Sequence, residues 1–145
     1  MAELDFHFAT AADSLLLAEM NQQLIQDEGH RNPMTLVQLE QRMSDFLNGE
    51  YKAVLFSHSS KHVGYALFRV EPEFVYLRQF FVAAPFRRRG VGRTAIDWLR
   101  QHAWSNSPRI RLDVLIGNAG GLAFWRAVGF ADYCLTLELP LCSAS

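Results

Sequence analysis

Between a strand-like run and a helix-like run stand Arg87-Arg88-Arg89-Gly90-Val91-Gly92, and this turn constrains the fold more than any other stretch of the chain. The run before it, Tyr76 to Val82, is aromatic and β-branched. The run after it sets Val91, Gly92, Ala95, Ile96, Trp98, Leu99 and Ala103 on one helical arc. The glycines therefore open a helix. N–H groups in the first helical turn have no intrahelical acceptor and lie at the positive end of the dipole, so an unobstructed turn there can wrap an anion. Gly90 and Gly92 remove the obstruction. From these residues alone the alternative is a solvated basic turn with ordinary helix-start glycines. A Walker-type loop would need Gly-Lys-Ser/Thr, and a dinucleotide turn a third glycine with an acidic residue about 20 positions on. Neither is present.

With 145 residues, half of them apolar, the chain is expected to form one domain, 1–145, with a real core. A net charge of −1 argues against a general nucleic-acid or membrane-surface binder, since the basic cluster is local. Cys134 and Cys142 have neither metal-ligand spacing nor the density of a disulfide scaffold, so reduced thiols and no metal are expected. No apolar run approaches the roughly 20 residues that span a bilayer, and no basic-then-apolar leader pattern is seen at the N-terminus. A cytoplasmic location is expected.

The pattern along the chain predicts a strand at Leu4 to Ala9, then a helix over Ser14 to Gln26 capped by Thr10 or Asp13. A polar break follows at 27–33, and Thr35 caps a second helix to about Leu47, ended by Asn48-Gly49. Tyr51 to Ser57 and His62 to Val70 read as a hairpin, with Glu71-Pro72-Glu73 breaking the pattern before Tyr76 to Val82. Arg109 to Leu115 alternates as a strand, Gly121 to Val128 reads as a short helix closed by Gly129, and Tyr133 to Leu139 is the expected last strand. The order β-α-α-β-β-β-α-β-α-β predicts an α/β architecture with helices on the faces of a mixed sheet.

That order, and two segments within it, resemble the GNAT N-acetyltransferase superfamily. The turn matches the family's acetyl-CoA pyrophosphate loop, Gln/Arg-x-x-Gly-x-Gly/Ala, at Arg87, Gly90 and Gly92. Asn118 to Phe130 is similar to its second cofactor segment, Asn-x-x-Ala/Gly-x-x-Phe/Leu-Tyr-x-x-x-Gly-Phe. The resemblance implies a GNAT-like, mostly antiparallel mixed sheet and acetyl-CoA as co-substrate. It implies that Arg87, Arg88, Arg89, Gly90, Val91, Gly92 and Arg93 surround the pyrophosphate and that Asn118 bonds the pantetheine arm, beside Phe124 and Trp125. It also implies that the strand before the turn splays from its neighbour, freeing backbone groups at Phe81 and Val82 for the pantetheine and thioester.

Acetyl transfer to an amine needs a held donor, a deprotonated amine, stabilisation of the oxyanion and departure of the thiolate. A free alkylamine, with a pKa of about 10.4, needs a base or a dry pocket at neutral pH. Relatives carry Glu or His where this chain has Tyr76 and Arg78, so Tyr76 is the candidate for relaying a proton through water, against a packing role. Glu28, in the break beside His30 and Arg31, is the candidate contact for the acceptor ammonium, against helix-end solvation. Where relatives place a tyrosine as acid for the thiolate, this chain has Trp125, whose indole gives up no proton near neutrality; Tyr133 is the candidate substitute. The expected function is acetyl transfer from acetyl-CoA to a primary amine by direct attack in a ternary complex. The alternative is a non-catalytic acyl-CoA-binding or sensing domain, and a nucleic-acid patch at the arginines ranks last. The apolar last strand makes a homodimer plausible.

Overall fold

The computed structural model describes residues 3–142. Five strands form one sheet in chain order: β1 (Asp5–Phe8), β2 (Tyr51–His58), β3 (Lys61–Val70), β4 (Val75–Val82) and β5 (Ile110–Arg111). The first three pairings are antiparallel and β4 with β5 is parallel, so the sheet is mixed and mostly antiparallel. Helices α1 (Ser14–Glu28) and α2 (Leu36–Asn48) cover one face, while α3 (Val91–His102) and α4 (Ala119–Ala127) lie on the other.

Both faces being covered explains why β2 and β3 read as continuous apolar runs. Ala53, Leu55, Tyr65 and Leu67 pack with Leu17, Leu24 and Met43 of the first helix pair. Their neighbours Val54, Phe56, Ala66 and Phe68 pack with Val91, Ala95, Ile96 and Leu99 of α3. Each fully buried leucine or phenylalanine contributes about 1.5–3 kcal/mol of transfer free energy. The hairpin between β2 and β3 turns on Ser59 and Ser60, both at positive φ (50° and 66°), the conformation a type I′ turn requires.

Local signals explain the helix ends. Thr35 caps α2 reciprocally with Gln38, at 3.2 Å from the Gln38 N–H and 2.9 Å back to the Thr35 N–H. Helix α1 runs two residues past the expected Gln26 and stops at Gly29, whose left-handed φ of 71° closes it. That extension puts Asp27 and Glu28 on the last helical turn instead of in a free loop.

Strand β4 carries a bulge: Leu67 pairs with Gln79 and Phe68 with Leu77, leaving Arg78 as the extra residue. The bulge switches faces, so Leu77 and Phe80 pack toward α3 while Gln79 and Phe81 turn toward α1 and α2. It also follows directly on the last β4–β5 pair, Tyr76 with Arg111. Beyond that pair the strands part, so the strand expected at Arg109 to Leu115 shrinks to Ile110–Arg111.

The expected last strand, Tyr133 to Leu139, forms no strand among the described residues. Tyr133, Leu135, Leu137 and Leu139 are 76%, 78%, 86% and 81% exposed. Period-two alternation makes a strand only beside an edge long enough to pair with, and the two-residue β5 offers none.

Candidate functional site

The turn between β4 and α3 is built on left-handed backbone. Arg88 has φ 62° and Gly90 φ 80°, and Gly90 caps α3 with nothing within 4 Å of where a Cβ would stand. The first backbone bond of α3 is from the Thr94 N–H to the Gly90 carbonyl, which leaves the N–H groups of Val91, Gly92 and Arg93 without an acceptor among the described residues. Gly92 has a different reason to be glycine: a Cβ there would meet the Phe124 ring at 2.8 Å, so it serves the packing of α3 on α4.

The four arginines divide in the same way. The Arg87 guanidinium bonds the Val82 carbonyl at 2.7 Å and pairs with Asp27 at the end of α1. Arg93 donates to the Ala127 carbonyl at 3.1 Å, closing the end of α4. Of the four, Arg88 and Arg89 have neither an ion-pair nor a side-chain hydrogen-bond partner among the described residues. Burial pushes the Asp27 carboxyl up, but hydrogen bonds from Arg87 and Gln23 and the Arg87 charge outweigh it and hold Asp27 below the usual range.

The parting of β4 from β5 opens a cavity of about 500 Å³ between the sheet, α1 and α4. In an antiparallel pair a residue's N–H and C=O point to the same side, and the side alternates along the strand. The Ala83 N–H bonds the Val63 carbonyl at 2.8 Å. The Phe81 carbonyl lies so close to Gly64 that a Cβ there would meet it at 2.1 Å. Phe81 therefore gives its backbone to β3, and its ring is buried in the core, which corrects its expected place at the cofactor. The open edge belongs to Phe80 and Val82, and the Val82 carbonyl is already taken by Arg87.

Glu28, Tyr76 and Trp125 all line the cavity. The Tyr76 hydroxyl donates to Asp113 at 2.8 Å. Burial, then the hydrogen bond to Asp113 and its charge, push the Tyr76 pKa up to about 12. Asp113, a second cavity carboxylate, has only one sequence signal, a polar position in an alternating run. Glu28 stands 3.0 Å from His30 Nε2 and accepts from the Asn118 amide at 3.4 Å. Asn118 also caps α4 through the Gly121 N–H at 3.0 Å, so its side-chain oxygen is engaged. Phe124 stacks on Phe80 at 6.1 Å, and Trp125 packs edge-on against Phe80 and Phe130, both at 5.2 Å.

Tyr133, like Phe81, is a predicted site residue that the structure does not bring in. Its exposed ring stacks under Arg111, 4.7 Å away, and its hydroxyl accepts from that guanidinium at 3.3 Å, outside the cavity lining. Because the segment has no sheet to hold it, the residue has no route to the thioester side. A buried polar network at the cavity base was not legible at all: Arg42 donates to Asn21 at 2.9 Å and Tyr65 to Gln79 at 2.8 Å. Burial pushes the Tyr65 hydroxyl far up, so it stays a donor.

The model of the acetyltransferase (GNAT) family matches residues 16–130. The chain belongs to the GNAT family of acetyltransferases. Membership makes it an acetyltransferase. Among curated proteins no sequence matches. Solved structures share the GNAT fold at low identity. A ribosomal-protein-alanine N-acetyltransferase from Brucella melitensis biovar Abortus 2308 is 15% identical with a TM-score of 0.77, over 96% of this chain and 100% of that one. A predicted acetyltransferase from Clostridium acetobutylicum, solved with acetyl-CoA, is 18% identical with a TM-score of 0.75, over 96% and 97%. An aminoglycoside N-acetyltransferase solved with CoA is 15% identical with a TM-score of 0.76, over 98% and 97%. No helix among the described residues of this GNAT chain is long and apolar enough to cross a membrane.

Proposed function

We propose that this chain transfers the acetyl group of acetyl-CoA to a primary amine by direct attack within a ternary complex. One observation carries the reading: the open edge of β4 lies between the free N–H groups of α3 and a cavity holding two carboxylates, Glu28 and Asp113. The residues present fit the donor. Gly90 and the first turn of α3, with Arg88 and Arg89 free beside them, would hold the pyrophosphate; Phe80 and Val82 would face the pantetheine. When bound, acetyl-CoA supplies an activated acetyl thioester.

The remaining work falls to side chains. Glu28 draws the acceptor ammonium into the cavity, and Asn118 and His30 orient it. Tyr76 accepts a hydrogen bond from the amine; as the C–N bond forms, the nitrogen's surplus proton passes to the phenol oxygen while the phenol's own proton passes to Asp113 Oδ2. Phe80, Phe124 and Trp125 form a wall that keeps water from the reacting atoms. No side chain is assigned to protonate the thiolate: a thiol pKa near 8.5 lets it leave unaided, and one general acid is worth about 10² to 10⁴ in rate. The test is thiol release from acetyl-CoA across amines, polyamines and peptides; release no faster with any of them than without would overturn the reading.

We also read the exposed stripe Leu135, Leu137, Leu139 and Leu141 as the contact with a second copy, since monomers seldom leave such a run uncovered. The unpaired thiols Cys134 and Cys142 support a reducing, cytoplasmic setting.

A further inference from the structure

We propose that the acceptor amine also carries an anionic group, a carboxylate or phosphate, and that Arg42 and Arg78 hold that group while Glu28 and Asp113 meet the amine. The inference rests on the acetyl-transfer reading of the same cavity.

Both guanidinium groups line the cavity and flank a single ring: the Arg42 guanidinium carbon lies 5.5 Å from the Phe46 centroid and that of Arg78 4.9 Å. Neither is in an ion pair among the described residues. Arg42 spends one nitrogen on Asn21, while its Nε is buried and has no acceptor. A buried donor without an acceptor is costly, more so on a charged group. Arg78, the bulge residue, has only a 3.4 Å bond to the Tyr51 hydroxyl. Burial lowers the Arg42 pKa and the like charge of Arg78 lowers it further, against a smaller opposite effect of Tyr65.

Arg69 on the same sheet shows the contrast. Its guanidinium also stacks on Tyr51 and Tyr76, at 5.6 and 4.7 Å, yet the chain gives it a carboxylate, Glu71, at 2.6 Å. Arg111, stacked on Phe74 and Tyr133, is like Arg42 and Arg78 in no ion pair among the described residues; what sets those two apart is that both line one cavity and flank one ring, two like charges side by side. An anion brought by the substrate would supply the missing counter-ion to both, bonding the guanidinium nitrogens that face the cavity. The cavity is then bipolar, with cations at the α2 end and carboxylates beside α1 and the segment after β5.

The test compares matched acceptors in thiol release: 4-aminobutanoate against 4-aminobutanamide, and 2-aminoethyl phosphate against 2-aminoethanol. The expected result is a kcat/KM about tenfold or more higher for the anionic member of one pair, which also tells carboxylate from phosphate. That ratio falls to about one in Arg78→Gln and Arg42→Gln, through a raised KM for the anionic member, while Arg78→Lys, which keeps the charge but not the stacked fork, retains only part of it. Equal or better use of the neutral members, or a ratio untouched by Arg78→Gln, overturns the proposal; the exposed Arg78 keeps the test open even if Arg42→Gln fails to fold. If no amine is turned over, it is acetyl transfer that fails, and calorimetry decides the anion site. Binding of 4-aminobutanoate or 2-aminoethyl phosphate that is lost in Arg78→Gln supports it. Binding of neither, or binding unaffected by the substitution, overturns it.

Discussion

Arg87 and Asp27, 60 positions apart, are joined by a hydrogen-bonded ion pair that ties the turn before α3 to the last turn of α1. The residue that heads the phosphate-loop motif thus acts as a strut between the two sides of the site. Arg87→Gln and Asp27→Asn should each lower stability by about 0.5–1 kcal/mol, the range for a partly exposed pair, and together by little more than either alone. Denaturant midpoints of the four proteins check this. Because the folded state lowers the Asp27 pKa, its contribution is present above the unfolded carboxyl pKa of about 3.9 and is lost as pH falls through the folded value. The gap between wild type and Asp27→Asn should therefore hold at neutral pH and close in acid.

Gly92 answers to Phe124. Gly92→Ala should destabilise the protein by about 1–3 kcal/mol through overpacking, and Phe124→Leu in the same chain should recover part of that loss. Thermal melts of the single and double variants are sufficient. A purely phosphate-facing Gly92 would show no such rescue.

How much of this was legible in the sequence depends on whether a residue's partner lies close along the chain. The capped helices, the β2–β3 hairpin and the Gly90 turn each carry their signal within a few residues, and all appear within about two residues of where the pattern put them. Partners far apart were invisible. Nothing near Gly92 announces Phe124, and nothing near Arg87 announces Asp27 as its counter-ion. Alternation at Tyr133 to Leu139 resembled a strand because periodicity reports which residues are apolar and not whether an edge awaits them. The bulge at Arg78 shifted the open backbone from Phe81 to Phe80, a register change that no composition rule registers.

Tyr76 and Asp113 should behave as one unit. Tyr76→Phe and Asp113→Asn are each expected to lower kcat by about 10²-fold or more, with the double variant near the worse single one. A Tyr76 pKa raised to about 12 means the phenol stays protonated through pH 10, so the alkaline limb of the rate profile should survive in Tyr76→Phe. Steady-state rates from pH 6 to about 10 would read both effects.

The leucine stripe predicts a concentration-dependent mass. Leu137→Lys with Leu139→Lys should shift the protein to a monomer in light scattering without loss of helical signal, since both side chains are exposed. A wild-type monomer at all concentrations would remove the second copy from the account.

The donor site is the central claim, and titration calorimetry of acetyl-CoA into wild type, Gly90→Asn and Gly90→Asp tests it most directly. Asn and Asp are the same size and both tolerate the left-handed backbone, and Gly90 has open space around it, so strain and crowding are separated from charge. The expected result is near wild-type affinity for Gly90→Asn and a loss of about tenfold or more for Gly90→Asp, whose carboxylate would oppose the pyrophosphate at the head of α3. Equal affinity of Gly90→Asp and wild type would contradict the account.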